Sequence, residues 1–394
     1  MIGPGTADSP GRGRRLLHLG LFALGLLAVG FWLAYVWLGR DDPQTWQRDW
    51  FCFYSAGGAF LGEGARGVYL EQCIENYVGL YPPYMLYPYA LASLLPPLVF
   101  YGLAVVEILV LTALSLWLLR RALPEHPSFE TIALVVAGSA ALFATVANGQ
   151  HSAILLAGMA GGLWAMRNGR PYLAGALLGL LGLKPNWTIV FVAWLIVTRR
   201  WRVLAGMAAV GIVMIAATLP MGIGVWEEYL TAGPRHIGIL LANGEGGLSY
   251  PAHKLVTFEA FARSTFGALS PAAGKVAWIT LEGLAIAACL LVWLRARATE
   301  DQLAMTALVA LAANLYVEFY DVLVLAVPAA VWWTTRERYP PPTWRVVGGA
   351  AGAIWAWHWI WAVGSPGPGW PSMVGGLLAV WIAADASRVL NVAA

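Results

Sequence analysis

Residues 12–38 read RGRRLLHLGLFALGLLAVGFWLAYVWL: three arginines, then an apolar run over 16–38 without a charge. About 20 apolar residues in a helix cross the roughly 30 Å hydrocarbon core of a bilayer. The run is too long for the core of a signal peptide, and no small-x-small cleavage site ends it. It predicts an uncleaved first span behind a basic, Gly/Pro-rich cytoplasmic tail over 1–15.

The rest of the chain repeats this pattern. Further apolar runs lie at 85–119, 131–147, 151–166, 171–184, 186–198, 203–220, 276–296, 303–318, 321–334, 344–363 and 372–390. The run over 85–119 is too long for one straight span. Pro88, Pro96 and Pro97 break its first part, because proline removes a backbone donor and kinks a helix. It predicts one crossing with a bent, partly interfacial start. The composition agrees: 59% of residues are hydrophobic and 11% charged, against about 25% charged in soluble domains. The expected fold is an all-α polytopic membrane protein of about 12 transmembrane helices, forming a single transmembrane domain over 16–394. The net charge of +3 is small and dispersed, so no nucleic-acid groove is expected and membrane lipid is the medium.

Orientation follows from the arginines, which favour the cytoplasmic side of spans. With Arg12, Arg14 and Arg15 inside, alternation puts Arg120/Arg121, Arg167/Arg170, Arg199/Arg200/Arg202, Arg295/Arg297, Arg336/Arg338/Arg345 and Arg388 inside as well. The outside then holds two large loops, 39–84 and 221–275, and short turns at 148–150, 184–186, 318–321 and 364–371. This places the protein in the cell's inner (plasma) membrane, with its working face towards the periplasm or exterior. The unusual polar residues gather on that face. No internal repeat of the kind that transporter halves show is visible.

Each polar group has a structural and a chemical reading. In the first loop Trp50, Phe53, Tyr54, Gly57 and Leu61 recur at helical spacing, predicting a helix in the membrane interface with its aromatics at headgroup level. Asp49 immediately precedes it, either as an N-cap or as a general base at the membrane surface. Tyr81-Pro82-Pro83-Tyr84 cannot be regular helix; it is a rigid lead-in to a span or the stiff wall of a cavity. Asn148-Gly149-Gln150-His151 forms the tip of a tight hairpin, as turn chemistry or as polar groups held below the headgroups. Lys184, ahead of Pro185-Asn186, breaks the charge pattern; it snorkels to the interface or binds a lipid phosphate. Glu318 and Asp321 flank Phe319-Tyr320 and can pair with Lys184 or His253, or orient a sugar hydroxyl. The second loop adds Arg235, His236, His253 and Lys254, either solvated or further cations for a phosphate. Cys52 and Cys73, both on the outside, can close a disulfide or stay as thiols. No His/Cys set has metal-ligand spacing, and no Walker lysine loop or dinucleotide fingerprint is present, so no metal or cofactor is expected.

Taken in order, Asp49-Trp50-Phe51 leading to Tyr54-x-Ala56-Gly57, Gly64…Val68-Tyr69, Tyr81-Pro82-Pro83, Asn148-Gly149-Gln150, Gly175-x-x-x-Gly179 to Lys184-Pro185, and Tyr316…Tyr320-Asp321 resemble glycosyltransferase family 87. The resemblance runs from about 45 to 335. It implies a C-type glycosyltransferase fold, and inverting transfer of a sugar (mannose or another hexose) from a polyprenyl-phosphate carrier to a lipid or glycan acceptor, without a nucleotide. It implies that Asp49, the acid of the first external loop, is the base. Members of the family place a histidine near the later external turn; Glu318 occupies that neighbourhood here. On this reading Lys184 and the 235–254 cations hold the leaving phosphate. Tyr54, Tyr81, Tyr84, Asn148, Gln150, His151, Asn186, Glu318, Tyr320 and Asp321 contact the sugar or acceptor. The rival reading is a flippase or transporter of a lipid-linked sugar, which needs no base at Asp49.

Overall fold

The computed structural model describes residues 49–68, 81–123, 129–231, 255–314, 316–335, 341–364 and 373–393, with scattered positions between 19 and 34. The tail over 1–15, most of the run over 16–38 and residues 232–254 lie outside them. Among the described residues the chain is helical, with no strand and one isolated antiparallel bridge, Leu255 to Glu318. The helices are α1 (Asp49–Gly67), α2 (Leu86–Ser93), α3 (Pro97–Ala122), α4 (Phe129–Ala137), α5 (Ala140–Asn148), α6 (Ser152–Arg167), α7 (Pro171–Leu178), α8 (Pro185–Val197), α9 (Trp201–Ala217), α10 (Phe258–Thr265), α11 (Pro271–Arg295), α12 (Thr299–Ala312), α13 (Ala326–Thr335), α14 (Pro341–Gly364) and α15 (Met373–Ala393).

Among the described residues three helical stretches are long and apolar enough to cross a membrane: α3, Trp201–Met221 and α11. The bent pair α4–α5 makes a fourth if it is one broken span. Several shorter apolar helices, including α6, α8 and α15, accompany them. The surface of the long helices is what lipid requires. Val106, Ile212 and Val276 are 57%, 66% and 65% exposed. In water each such side chain would forgo about 1.5–3 kcal/mol of burial. The chain is a membrane protein whose long helices turn apolar faces outward.

Breaks in the helices place the polar groups. The run over 85–119 divides between α2 and α3 at Leu94–Pro96, as its prolines predict. The run over 131–147, which the sequence presents as one helix, bends by 46° between α4 and α5. Gly138-Ser139 is the cause: the Ser139 hydroxyl caps α5 by accepting from Leu142 N at 3.1 Å. Carbonyls at the bend find donors on α14. Trp355 Nε1 donates to Val135 O at 3.1 Å and Trp359 Nε1 to Gly138 O at 2.8 Å. A buried carbonyl without such a partner costs free energy comparable to a lost hydrogen bond.

The run over 303–318 also departs from a simple span. α12 ends at Ala312. Asn314 terminates it, its Nδ2 donating back to Ala310 O and its Oδ1 accepting from Tyr316 N; such side-chain bonds compete with helix. Glu318 is extended (φ −93°, ψ 166°), and Val256 N donates to Val317 O at 3.0 Å. The end of the long 221–275 loop is thereby stitched to the segment that leads into Phe319–Leu325, a 3-10 turn ahead of α13.

One apolar core runs through the helices, with Trp50, Trp187, Trp194, Trp381 and Phe191 fully buried. α1 lies directly against α2: a side chain at Gly57 would meet Tyr89 O at 2.2 Å, so this crossing requires glycine.

Candidate functional site

The site is built around the turn between α5 and α6. α5 ends at Asn148, and Gly149 follows with φ +60°. Glycine alone takes this left-handed conformation without cost. A Cβ there would also lie 2.6 Å from Trp50 Cβ. The turn therefore presses against the first turn of α1, and each of the three residues after Gly149 reaches a different element.

Gln150, 3% exposed, donates from Nε2 to Asp49 Oδ2 at 2.6 Å. Its Oε1 accepts from the Tyr81 hydroxyl at 2.7 Å. His151 Nε2 lies 2.8 Å from the Tyr89 hydroxyl. The Ser152 hydroxyl donates to Asp321 Oδ1 at 2.6 Å. Asp321 in turn receives Lys184 Nζ at 2.7 Å on Oδ1 and 2.9 Å on Oδ2. Lys184 also stands 4.9 Å above the Tyr320 ring, a cation–π distance. Asp49, Lys184 and Asp321, separated by more than 100 residues in sequence, thus join one network across 150–152.

Local structure delivers each group. Asp49 lies in the first turn of α1. α7 tightens into a 3-10 turn, Gly179–Leu183, and Lys184 closes it. Pro185 then starts α8 from a position where its missing N–H costs nothing. Asp321 sits in the 3-10 turn Phe319–Leu325, whose Tyr320 carbonyl accepts from the Thr145 hydroxyl at 3.2 Å.

Aromatic rings wall the network. Phe53 stacks on Tyr89 (4.9 Å, 6°) and on His151 (5.3 Å), and meets Tyr81 edge-on at 5.2 Å. Burial raises the Tyr81 hydroxyl well above its ordinary pKa, and the charges of Tyr89, Asp321, Asp49 and Glu318 add to this; it stays a donor. Burial, then the Lys184 charge, lowers His151 to about 3, so the imidazole is neutral. Burial, then Asp49, raises the Cys52 thiol to about 12.

The remaining predicted residues have definite places. Tyr54 is half-buried on α1 against Phe51 and edge-on to Phe100. Tyr84 donates to Gly182 O, tying the Tyr-Pro-Pro-Tyr segment to the turn that carries Lys184. Asn148 turns back on its own helix, donating to Ala144 O. Asn186 donates to Asn314 Oδ1 and Tyr316 O. Glu318, 4% exposed, accepts from the Tyr316 hydroxyl at 2.5 Å. Of the pairings open to Asp321, the structure takes Lys184. Arg235, His236, His253 and Lys254 lie outside the described residues. So does Cys73; Cys52 is a free thiol. Among the described residues no group of three His, Cys, Asp or Glu side chains stands together as metal ligands.

Sequence reasoning missed Ser152, Tyr89 and Thr145. Ser152 was one residue beyond the turn motif and could have been reached by extending it. Tyr89 and Thr145 lie inside apolar runs and carry no signal of their own.

The model of glycosyltransferase family 87 matches residues 80–313. That is more than half of the chain, and it takes in Tyr81, Gln150, His151, Ser152 and Lys184. No curated protein matches.

Proposed function

The chain belongs to glycosyltransferase family 87 and is a membrane glycosyltransferase; on that premise we propose that it moves a sugar from a polyprenyl-phosphate carrier to an acceptor hydroxyl with inversion at the anomeric carbon. The observation that carries the reading is that one turn, 150–152, holds both Asp49, by the Gln150 amide, and the Lys184–Asp321 pair, by the Ser152 hydroxyl. An acidic group and a cation at one site are what such a transfer needs.

In the proposed reaction, Asp49 takes the proton from the acceptor hydroxyl as its oxygen attacks the anomeric carbon. The bond from that carbon to the phosphate oxygen breaks on the opposite face. The electron pair leaves with polyprenyl phosphate, and Lys184 stabilises the developing charge. Asp321, with Ser152 behind it, holds Lys184 in place. Glu318, fixed by Tyr316, and the aromatics Tyr54, Tyr81 and Tyr84 face the sugar and acceptor. The 235–254 cations extend the phosphate site. The fold this reading calls for is the C-type glycosyltransferase arrangement of about 12 spans, with the site facing the periplasm or exterior of the inner membrane.

The test is transfer by purified protein from a panel of radiolabelled polyprenyl-phosphate hexoses to a membrane lipid extract. Asp49→Asn keeps a good N-cap and removes the proton acceptor. Transfer is expected to fall by roughly 100-fold or more with expression and donor binding retained. Lys184→Met is expected to weaken donor binding instead. Near-normal transfer by Asp49→Asn would refute the assignment and return the flippase reading.

A further inference from the structure

We propose that Gln150 is a positioning residue for Asp49: backed by the Tyr81 hydroxyl, its amide fixes the orientation of the carboxylate and stabilises its charge. This rests on the reading of Asp49 as the base.

The direction of the chain is forced by chemistry. A carboxylate oxygen only accepts, so the amide atom 2.6 Å from Asp49 Oδ2 is the N–H₂ end. The carbonyl end then faces Tyr81, whose hydroxyl donates at 2.7 Å. A flipped amide would set a carbonyl against a carboxylate. The glutamine cannot swing away, because it is 3% exposed and its backbone N–H is bound to Thr145 O at 3.0 Å. Each end of the amide is engaged by a protein partner, Asp49 at Nε2 and Tyr81 at Oε1.

The titratable groups that feel the Asp49 charge are Cys52 on its own helix, Tyr81 and Tyr320; Tyr89, Glu318 and Asp321 in turn act on Tyr81, and Lys184 acts on His151. Asp321 is paired with Lys184 and His151 is neutral. A hydrogen bond donated to a carboxylate favours its charged form. One such bond is enough to move a midpoint by about one pH unit.

The full chain in nanodiscs provides the test. Infrared difference titration, with Asp49→Asn subtracted, isolates the Asp49 carboxylate without any substrate. Gln150→Leu is expected to raise its midpoint by about one pH unit, and Tyr81→Phe by less. The acid limb of the rate profile, with polyprenyl-phosphate mannose as the donor probe, should move up equally, since the base works only when ionised. The KM for the donor should stay. An unchanged midpoint in Gln150→Leu, or an unmoved acid limb with a raised acceptor KM, would overturn the proposal and make Gln150 a substrate contact. Tyr81→Phe removes one hydroxyl and keeps the ring. If Gln150→Leu does not fold, an unchanged midpoint in Tyr81→Phe overturns the proposal. Transfer by Asp49→Asn would sink the base assignment while leaving the infrared result intact, so the two failures are separable.

Discussion

Lys184 and Asp321 are a buried pair, their side chains 12% and 2% exposed. Removing one partner of such a pair leaves a charge without compensation, a loss of about 3–5 kcal/mol, whereas replacing both can be close to neutral. Lys184→Met and Asp321→Asn are therefore each expected to lower the thermal midpoint in detergent. The double variant should melt above either single one. Midpoints that fall additively would show that the two side chains act independently. Stability and transfer part company here: the double variant is expected to recover its fold and not its donor binding.

At the scale of elements, the α5–α6 turn is the joint on which the site depends. Gly149→Ala puts a side chain into a left-handed backbone position, at about 1–2 kcal/mol, and drives its Cβ against Trp50. The expected outcome is a lower thermal midpoint together with lost transfer, because the first turn of α1, and Asp49 with it, is pushed away. Gly58→Ala is the control. It lies on the same helix α1 with nothing near its would-be Cβ, and alanine favours helix by about 0.8–1 kcal/mol over glycine. A Gly149→Ala variant as stable and active as Gly58→Ala would contradict this account of the turn.

At the scale of the whole molecule, the arginine pattern implies that the α6–α7 turn is cytoplasmic and that Thr231, at the end of a further helical stretch over 224–231, is external. Asn168 and Thr231 are both exposed. In a background with Cys52, Cys73 and Cys289 replaced by serine, a membrane-impermeant maleimide applied to intact cells should label Thr231→Cys and not Asn168→Cys. After lysis it should label both. Labelling of Asn168→Cys in intact cells would invert the topology and move the site to the cytoplasmic face.

Composition and run length were sufficient for class. No arrangement of a chain 59% hydrophobic hides its apolar surface from water, and α3, α9 and α11 turn that surface outward. The ordered motifs pointed to the family whose model matches 80–313, the stretch that holds Tyr81-Pro82-Pro83, Asn148-Gly149-Gln150 and Lys184-Pro185. Proline marked the α2–α3 break, since its effect on backbone is local. The Gly138-Ser139 bend was not legible: it holds because Trp355 and Trp359 on α14 supply donors from more than 200 residues away. The end of α12 depended likewise on Asn314 and on Leu255–Val256 across the fold. Charge and run alternation in the sequence led to the expectation that Asp49, Gln150, Lys184 and Asp321 share one side of the membrane. Which of them touch was decided by the tertiary structure alone. Hydrogen bonds form over about 3 Å, a range that spacing along the chain cannot resolve. Only the packing of α1 against Gly149, and of the 319–325 turn against α5 and α6, brings those atoms within it.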